Sequence, residues 1–243
     1  LNNNLISIQQ ISALPNQVLA HRCGGALITL QHALTTASCT YSIFNGTMVP
    51  ISAADYRVFA GAALLTGDNV AERIRNIANY TAHPEHLIAP ALLNDIAVVT
   101  VSAILVTFST YIFVFSWYIG NTIASNELRY TTKYTYNHQL CTILYNTLVG
   151  LPNIHPNMIC AVSYDLYSAG CTGDVGNALV CGGQLTGVLS MTNQCVMTTY
   201  PEIYTRVSNY TTWIRSVTGG ASSFKPELGL FALVAIVCIK MFS

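Results

Sequence analysis

Cys171-Thr-Gly-Asp-Val-Gly-Asn-Ala-Leu-Val-Cys181 decides how this chain is read. A Gly-Asp turn lies between two cysteines, and an apolar run leads into the second of them. At its centre Val175 has no ionisable or nucleophilic atom that a general base could activate. Around this stretch the chain has 243 residues, enough to bury a substantial core as one large domain or two packed halves. Charged residues make up only 8% and the formal net charge is zero, so the basic surface that nucleic acid requires is missing. A hydrophobic content of 52% argues against disorder, and 14 Tyr with many Thr and Val favour β structure. The 8 cysteines include no Cys-x-x-Cys pair with a matching His or Cys pair, so disulfides are expected and no metal or cofactor. Three N-x-Thr sequons, at Asn45, Asn79 and Asn209, point with the cysteines to glycosylation and the secretory route.

Compared block by block, the opening stretch resembles the nucleophile loop of the chymotrypsin-like serine proteases (trypsin family, peptidase S1), Cys-x-Gly-Asp-Ser-Gly-Gly-Pro-Leu-Val-Cys. Val175 stands where that family carries its serine. Pro15-Asn-Gln-Val-Leu and His21-Arg-Cys-Gly-Gly-Ala-Leu-Ile28 are similar to its early strand and Cys-Gly-Gly-Ser-Leu-Ile block. Ala33-Leu-Thr-Thr-Ala-Ser-Cys39 resembles Val-Leu-Thr-Ala-Ala-His-Cys, which puts Ser38 at the catalytic histidine's position. Leu93-Asn-Asp-Ile-Ala-Val-Val99 resembles Asn-Asp-Ile-Ala-Leu-Leu and puts Asp95 at the triad aspartate. Ser116-Trp-Tyr-Ile-Gly120 is faintly similar to a Gly-Trp-Gly turn. Asn157-Met-Ile-Cys-Ala161 and Tyr200-Pro-Glu-Ile-Tyr-Thr-Arg-Val-Ser-Asn-Tyr-Thr-Thr-Trp-Ile214 match later blocks in the same order.

The resemblance implies an all-β fold: two packed antiparallel six-stranded Greek-key β-barrels and a C-terminal helix. It places one trypsin-like domain at 1–217, with barrels at about 15–105 and about 115–205 and the helix at about 206–217. Val207, Tyr210, Trp213 and Ile214 are spaced for one helical face. By position the family's disulfides become Cys23–Cys39, Cys141–Cys160 and Cys171–Cys195. Cys181 is left as a free buried thiol, with Cys238 as the other thiol without an assigned mate.

The triad positions are then Ser38, Asp95 and Val175, and only the aspartate is kept. A serine cannot take a proton near neutral pH as imidazole does. Asp95 is expected to accept hydrogen bonds from Ser38, Ser190 or backbone groups. The oxyanion-hole positions are Gly173 and Val175, and the former specificity pocket has Ala169, Thr192 and Glu202. Two family glycines have gained side chains at Thr192 and Glu202, so a plugged or reshaped pocket is expected. Glu202 is either a filler that pairs with a neighbour or turns to water, or a new recognition carboxylate. Asp174 matches the aspartate that pairs with a cleaved N-terminus. Counting back from Pro15 puts that terminus near Asn3-Asn4-Leu5-Ile6, which lacks the motif, so the hole is expected to be zymogen-like. His32 reads as a packed or partly exposed strand histidine, and Pro84 disfavours a helical metal pair of His83 and His86.

Residues 218–229 are small and polar, and 230–243 form an apolar tail. That order fits a glycosylphosphatidylinositol attachment signal, with a short membrane helix or a docked apolar extension as alternatives. The leading functional reading is a non-catalytic protease homologue, extracellular or anchored at the cell surface. It binds a protein partner such as a protease, zymogen or inhibitor, and meets the membrane through its tail or the lipid that replaces it. Its rivals are a hydrolase of displaced mechanism using Ser38 or His32, and a structural or adhesion glycoprotein module.

Overall fold

Leu5-Ile-Ser-Ile-Gln-Gln alternates its apolar residues with period two, and it is the first strand of the molecule, β1 (Leu5–Gln10). The structure is a computed structural model and describes residues 5–62, 64–66, 73–88, 91–103, 114–119, 123–148, 150–163, 169–192 and 200–220. After β1 come β2 (His21–Leu27), β3 (His32–Thr35) and the hairpin strands β4 (Tyr41–Phe44) and β5 (Thr47–Pro50). Then follow β6 (Tyr56–Ala60), β7 (Ile74–Ala82) and β8 (Ala97–Val101). Six of these close into a barrel of order β1-β2-β3-β8-β7-β6, with β1 paired to both β2 and β6. Closure leaves no free sheet edge, and Ile6, Ile8, Val58, Val99 and Val101 fill the interior.

The first barrel therefore begins at Leu5 rather than near Pro15. Pro15-Asn-Gln-Val-Leu belongs to a connection, where the Asn16 side chain caps a helical turn, α1 (Gln17–Ala20), by accepting from Leu19 N–H at 3.1 Å. The count that placed an activation terminus near residues 3–6 is overturned with it, since Leu5 and Ile6 are barrel residues.

The second half starts with β9 (Val114–Ile119) and β10 (Ile123–Thr131), an antiparallel pair. Ser116-Trp-Tyr-Ile lies in β9 and not in a turn: with serine and tyrosine in place of the flexible positions, strand formers fill the segment. Then come β11 (Lys133–Thr135), α2 (His138–Asn146), β12 (Met158–Ser163), β13 (Ala178–Cys181), β14 (Gln184–Met191) and β15 (Glu202–Arg206). Among the described residues this half is a five-stranded sheet of order β11-β12-β15-β14-β13 beside the β9–β10 ladder, not a closed six-stranded barrel. A 3₁₀ turn at Val207–Tyr210 leads into the C-terminal helix α3 (Thr211–Val217). Val207, Tyr210 and Ile214 pack with Ile28, Leu34, Ile96 and Val98 of the first half and Val188 of the second, so the helix seals the seam between them.

Cys23–Cys39 and Cys141–Cys160 are disulfides. Loops of this size contribute about 3 kcal/mol each in the chain-entropy model. Cys171 and Cys181 are disulfide-bonded as well. Cys181 is thus not a free buried thiol; it sits half-buried at the end of β13. Cys195, Cys238 and the tail from 221 lie outside the described residues. Among the described residues no helix is long and apolar enough to cross a membrane.

Candidate functional site

Asp95 enters β8 from a tight loop and is fully buried where the two halves meet. Its Oδ1 accepts Ser38 N–H at 2.7 Å, and its Oδ2 accepts the hydroxyls of Ser190 at 2.5 Å and Ser38 at 3.2 Å. Ser38 comes from a 3₁₀ turn, Ala37–Thr40, and Ser190 from β14, so one carboxylate ties elements of both halves. Burial pushes the Asp95 carboxyl above the ordinary carboxylate range, against the donors on it and the nearby His86.

His86 is 3.9 Å from Asp95 Oδ1 and was not singled out as a neighbour of this site. Its Nδ1–H donates to Leu93 O at 3.1 Å, which leaves Nε2 to accept the Tyr41 hydroxyl at 2.9 Å. Both ring nitrogens are therefore occupied. Burial, then the charge of Asp95, raises the Tyr41 phenol to about 12. His32 is committed elsewhere, to Thr29 Oγ1 at 2.8 Å in the β2–β3 turn. His83 meets the Tyr210 ring edge-on and the Trp213 ring at a tilt, and among the described residues no cluster of three His, Cys, Asp or Glu could hold a metal.

The Val175 loop belongs to the second half but is clasped by β2 of the first. Gly24 N–H donates to Val175 O at 2.9 Å, and His21 Nε2–H donates to Gly173 O at 2.8 Å. Gly176 has φ +93°, and a Cβ there would stand 2.2 Å from Gly24 O, so only glycine lets the loop sit this close. The Val175 side chain packs against the barrel core. Thr172–Asp174 forms one 3₁₀ turn, closed by Asp174 N–H on Cys171 O at 2.8 Å. The buried Asp174 carboxylate accepts Cys171 N–H at 2.8 Å and Asn177 Nδ2–H at 3.2 Å. Asn177 replaces the second glycine after the nucleophile position in the resembling motif; the motif itself could have flagged it.

Glu202 is 2% exposed and lies at the start of β15. Its Oε1 accepts Gly170 N–H at 2.5 Å, its Oε2 accepts the Tyr204 hydroxyl at 2.7 Å, and Lys133 Nζ sits 3.0 Å from Oε2. Lys133 also donates to Ser163 Oγ at 2.7 Å. A Cβ built on Gly170 would meet Glu202 Oε1 and Thr192 Cγ2, each at 3.3 Å, so both side chains stand against the strip that starts at Ala169. Glu202 thus faces a buried cation rather than open solvent. Nothing in the sequence near position 202 announces Lys133, because the pair forms across the sheet.

Buried His21 has a directly testable property. With Nε2–H spent on Gly173 O, Nδ1 accepts the Ser7 hydroxyl at 2.7 Å, and burial lowers its pKa from 6.5 to about 4. A lowered folded-state value means the unfolded chain takes the proton first. The stability is present above pH 6.5 and is lost as pH falls toward 4, amounting to about 3 kcal/mol. The pH dependence of the urea midpoint should flatten across that window in His21→Gln relative to wild type; equal slopes would refute this account of His21.

Comparison with known proteins gives a consistent result. A family model described as Trypsin matches residues 6–214. The chain is 29% identical to Trypsin I-P1 of Gallus gallus over 84% of each chain. It is 26% identical to a chymotrypsin-like serine proteinase of Haliotis rufescens, over 81% of this chain and 80% of that protein. It is also 26% identical to the proclotting enzyme of Tachypleus tridentatus, over 79% of this chain and 57% of that protein.

Proposed function

This chain belongs to the trypsin family, and from that premise we propose that it is a member that acts by binding protein rather than by cutting it. What supports the reading is that Ser38 donates to Asp95 while the imidazole beside it, His86, is engaged by Leu93 O and the Tyr41 hydroxyl; the family resemblance sets Ser38, Asp95 and Val175 at the triad positions. Losing nucleophile or base alone costs about 10⁶-fold in turnover in a related catalytic architecture. Glu202 and Thr192 against Gly170 support a pocket closed to a substrate side chain. The partner is then held by the outer surface, and its class on this reading is a protease, zymogen or inhibitor. The disulfides fit an extracellular setting. On the same reading 1–217 is the protease-like domain, Cys171 pairs with Cys195, and 218–229 and 230–243 are spacer and anchor signal.

A second reading rests on Ser38, whose half-exposed hydroxyl touches a carboxylate that burial makes more basic. That hydroxyl is shared with Thr36 Oγ1 at 3.0 Å. Binding is tested by immobilising the glycosylated chain and titrating active trypsin-like proteases, their zymogens and protein inhibitors. Saturable binding at micromolar or tighter affinity supports the proposal. No binder in that panel, with none recovered from the native extract, refutes it.

A further inference from the structure

The β4–β5 hairpin follows Ser38 and Cys39 directly and belongs to neither larger sheet. Its pairs are Tyr41 with Pro50, Ser42 with Val49, Ile43 with Met48 and Phe44 with Thr47, which leaves Asn45-Gly46 as a two-residue turn. Asn45 has φ +50° and Gly46 φ +73°, as an Asn-Gly turn of the primed type requires. Residues 41–50 carry no charge. Ile43 is 62% exposed, Phe44 68%, Met48 41% and Val49 45%. A two-stranded apolar ladder that pairs with no third strand among the described residues invites pairing with other chains, and proteins blunt such edges with charge or a cover. Charge reaches only its base, where Arg22 donates to Tyr41 O at 2.8 Å.

Asn45-Gly-Thr47 is a sequon, and all three of its residues are exposed at the hairpin tip. Asn79 and Asn209 are exposed as well, but no large exposed apolar residue lies within two positions of either. We propose that Asn45 carries an N-linked oligosaccharide whose role is to cover the apolar faces and edges of β4–β5. Its Nδ2 loses a proton and bonds the anomeric carbon of a sugar, while the bond from that carbon to a lipid diphosphate carrier breaks and the diphosphate leaves. The glycan then stands at the tip of the hairpin, whose base is fastened near the Ser38–Asp95 cluster by Tyr41 on His86.

The test uses the full chain expressed in a eukaryotic host and recovered from the medium or released from the cell surface. Peptide mapping should find Asn45 modified in most molecules. Thr47→Val keeps the Asn45-Gly46 turn and removes the acceptor sequon; it should bind several-fold more naphthalene-sulfonate dye and elute earlier on size exclusion. Folded wild type trimmed by an endoglycosidase to a single sugar at each site should do the same, and it decides the matter if Thr47→Val is retained in the cell. Thr81→Val, which removes the Asn79 sequon, should leave dye binding unchanged. Unmodified Asn45 overturns the proposal, and so do trimmed or Thr47→Val proteins that match wild type; in either case a protein partner becomes the cover to look for.

Discussion

Lys133→Met is expected to destabilise the protein by about 3–5 kcal/mol, read as a fall in the urea midpoint at unchanged m-value. The reason is the environment of Glu202. Both members of the pair are about 3% exposed, so removing the ammonium strands a carboxylate that water cannot reach. The complementary change separates this from a packing defect. In Lys133→Met combined with Glu202→Gln, the amide oxygen still accepts from Gly170 N–H and no charge remains buried. The double variant should recover to within about 1–2 kcal/mol of wild type, so the two changes are strongly non-additive. A single-variant cost below about 1 kcal/mol would mean that Glu202 is not held as a buried ion.

The second large effect is a gain. Ser38→His with Val175→Ser places an imidazole and a hydroxyl on a frame where Asp95, Ser190 and the Cys23–Cys39 bridge already stand. Hydrolysis of a small activated ester, which needs no side-chain pocket, should rise at least about 10³-fold over the unaltered chain. Hydrolysis of peptides with a large apolar side chain at the cleaved residue should stay near background until Thr192→Gly and Glu202→Gly are added and Lys133 is neutralised, because the filled strip beside Gly170 blocks the side chain, and with Ala169 and no carboxylate left the opened strip suits an uncharged group. A double variant no faster on the ester would show that the turn from Cys171 to Gly176 does not aim its amides at a reacting carbonyl.

How much of this was legible in the sequence depends on whether the signal was local. Ser38, Asp95 and Val175 lie in blocks with neighbouring cysteines or a short apolar strand, which is what let the resemblance to the family's blocks be followed there. The helical face of Val207, Tyr210, Trp213 and Ile214 was visible in its periodicity and does pack on the seam. The first strand was misplaced because Pro15-Asn-Gln-Val-Leu matches the family's residue types, while the true strand showed itself only in the two-residue alternation of Leu5-Ile-Ser-Ile. Proline followed by a capping asparagine favours a turn, and that local preference won. Lys133 on Glu202 and His21 on Gly173 are long-range pairs that only the folded chain brings together, and His86 meets Asp95 through the conformation of the loop between β7 and β8.

The most direct test is an active-site serine probe of the fluorophosphonate class, applied to the unaltered, disulfide-intact chain beside an active trypsin-like protease, with peptide and ester hydrolysis followed in parallel. The account predicts no stoichiometric labelling of any serine, Ser38 included, and hydrolysis at the rate of the blank. Stoichiometric labelling of one serine, with hydrolysis that disappears in Asp95→Asn, would contradict it.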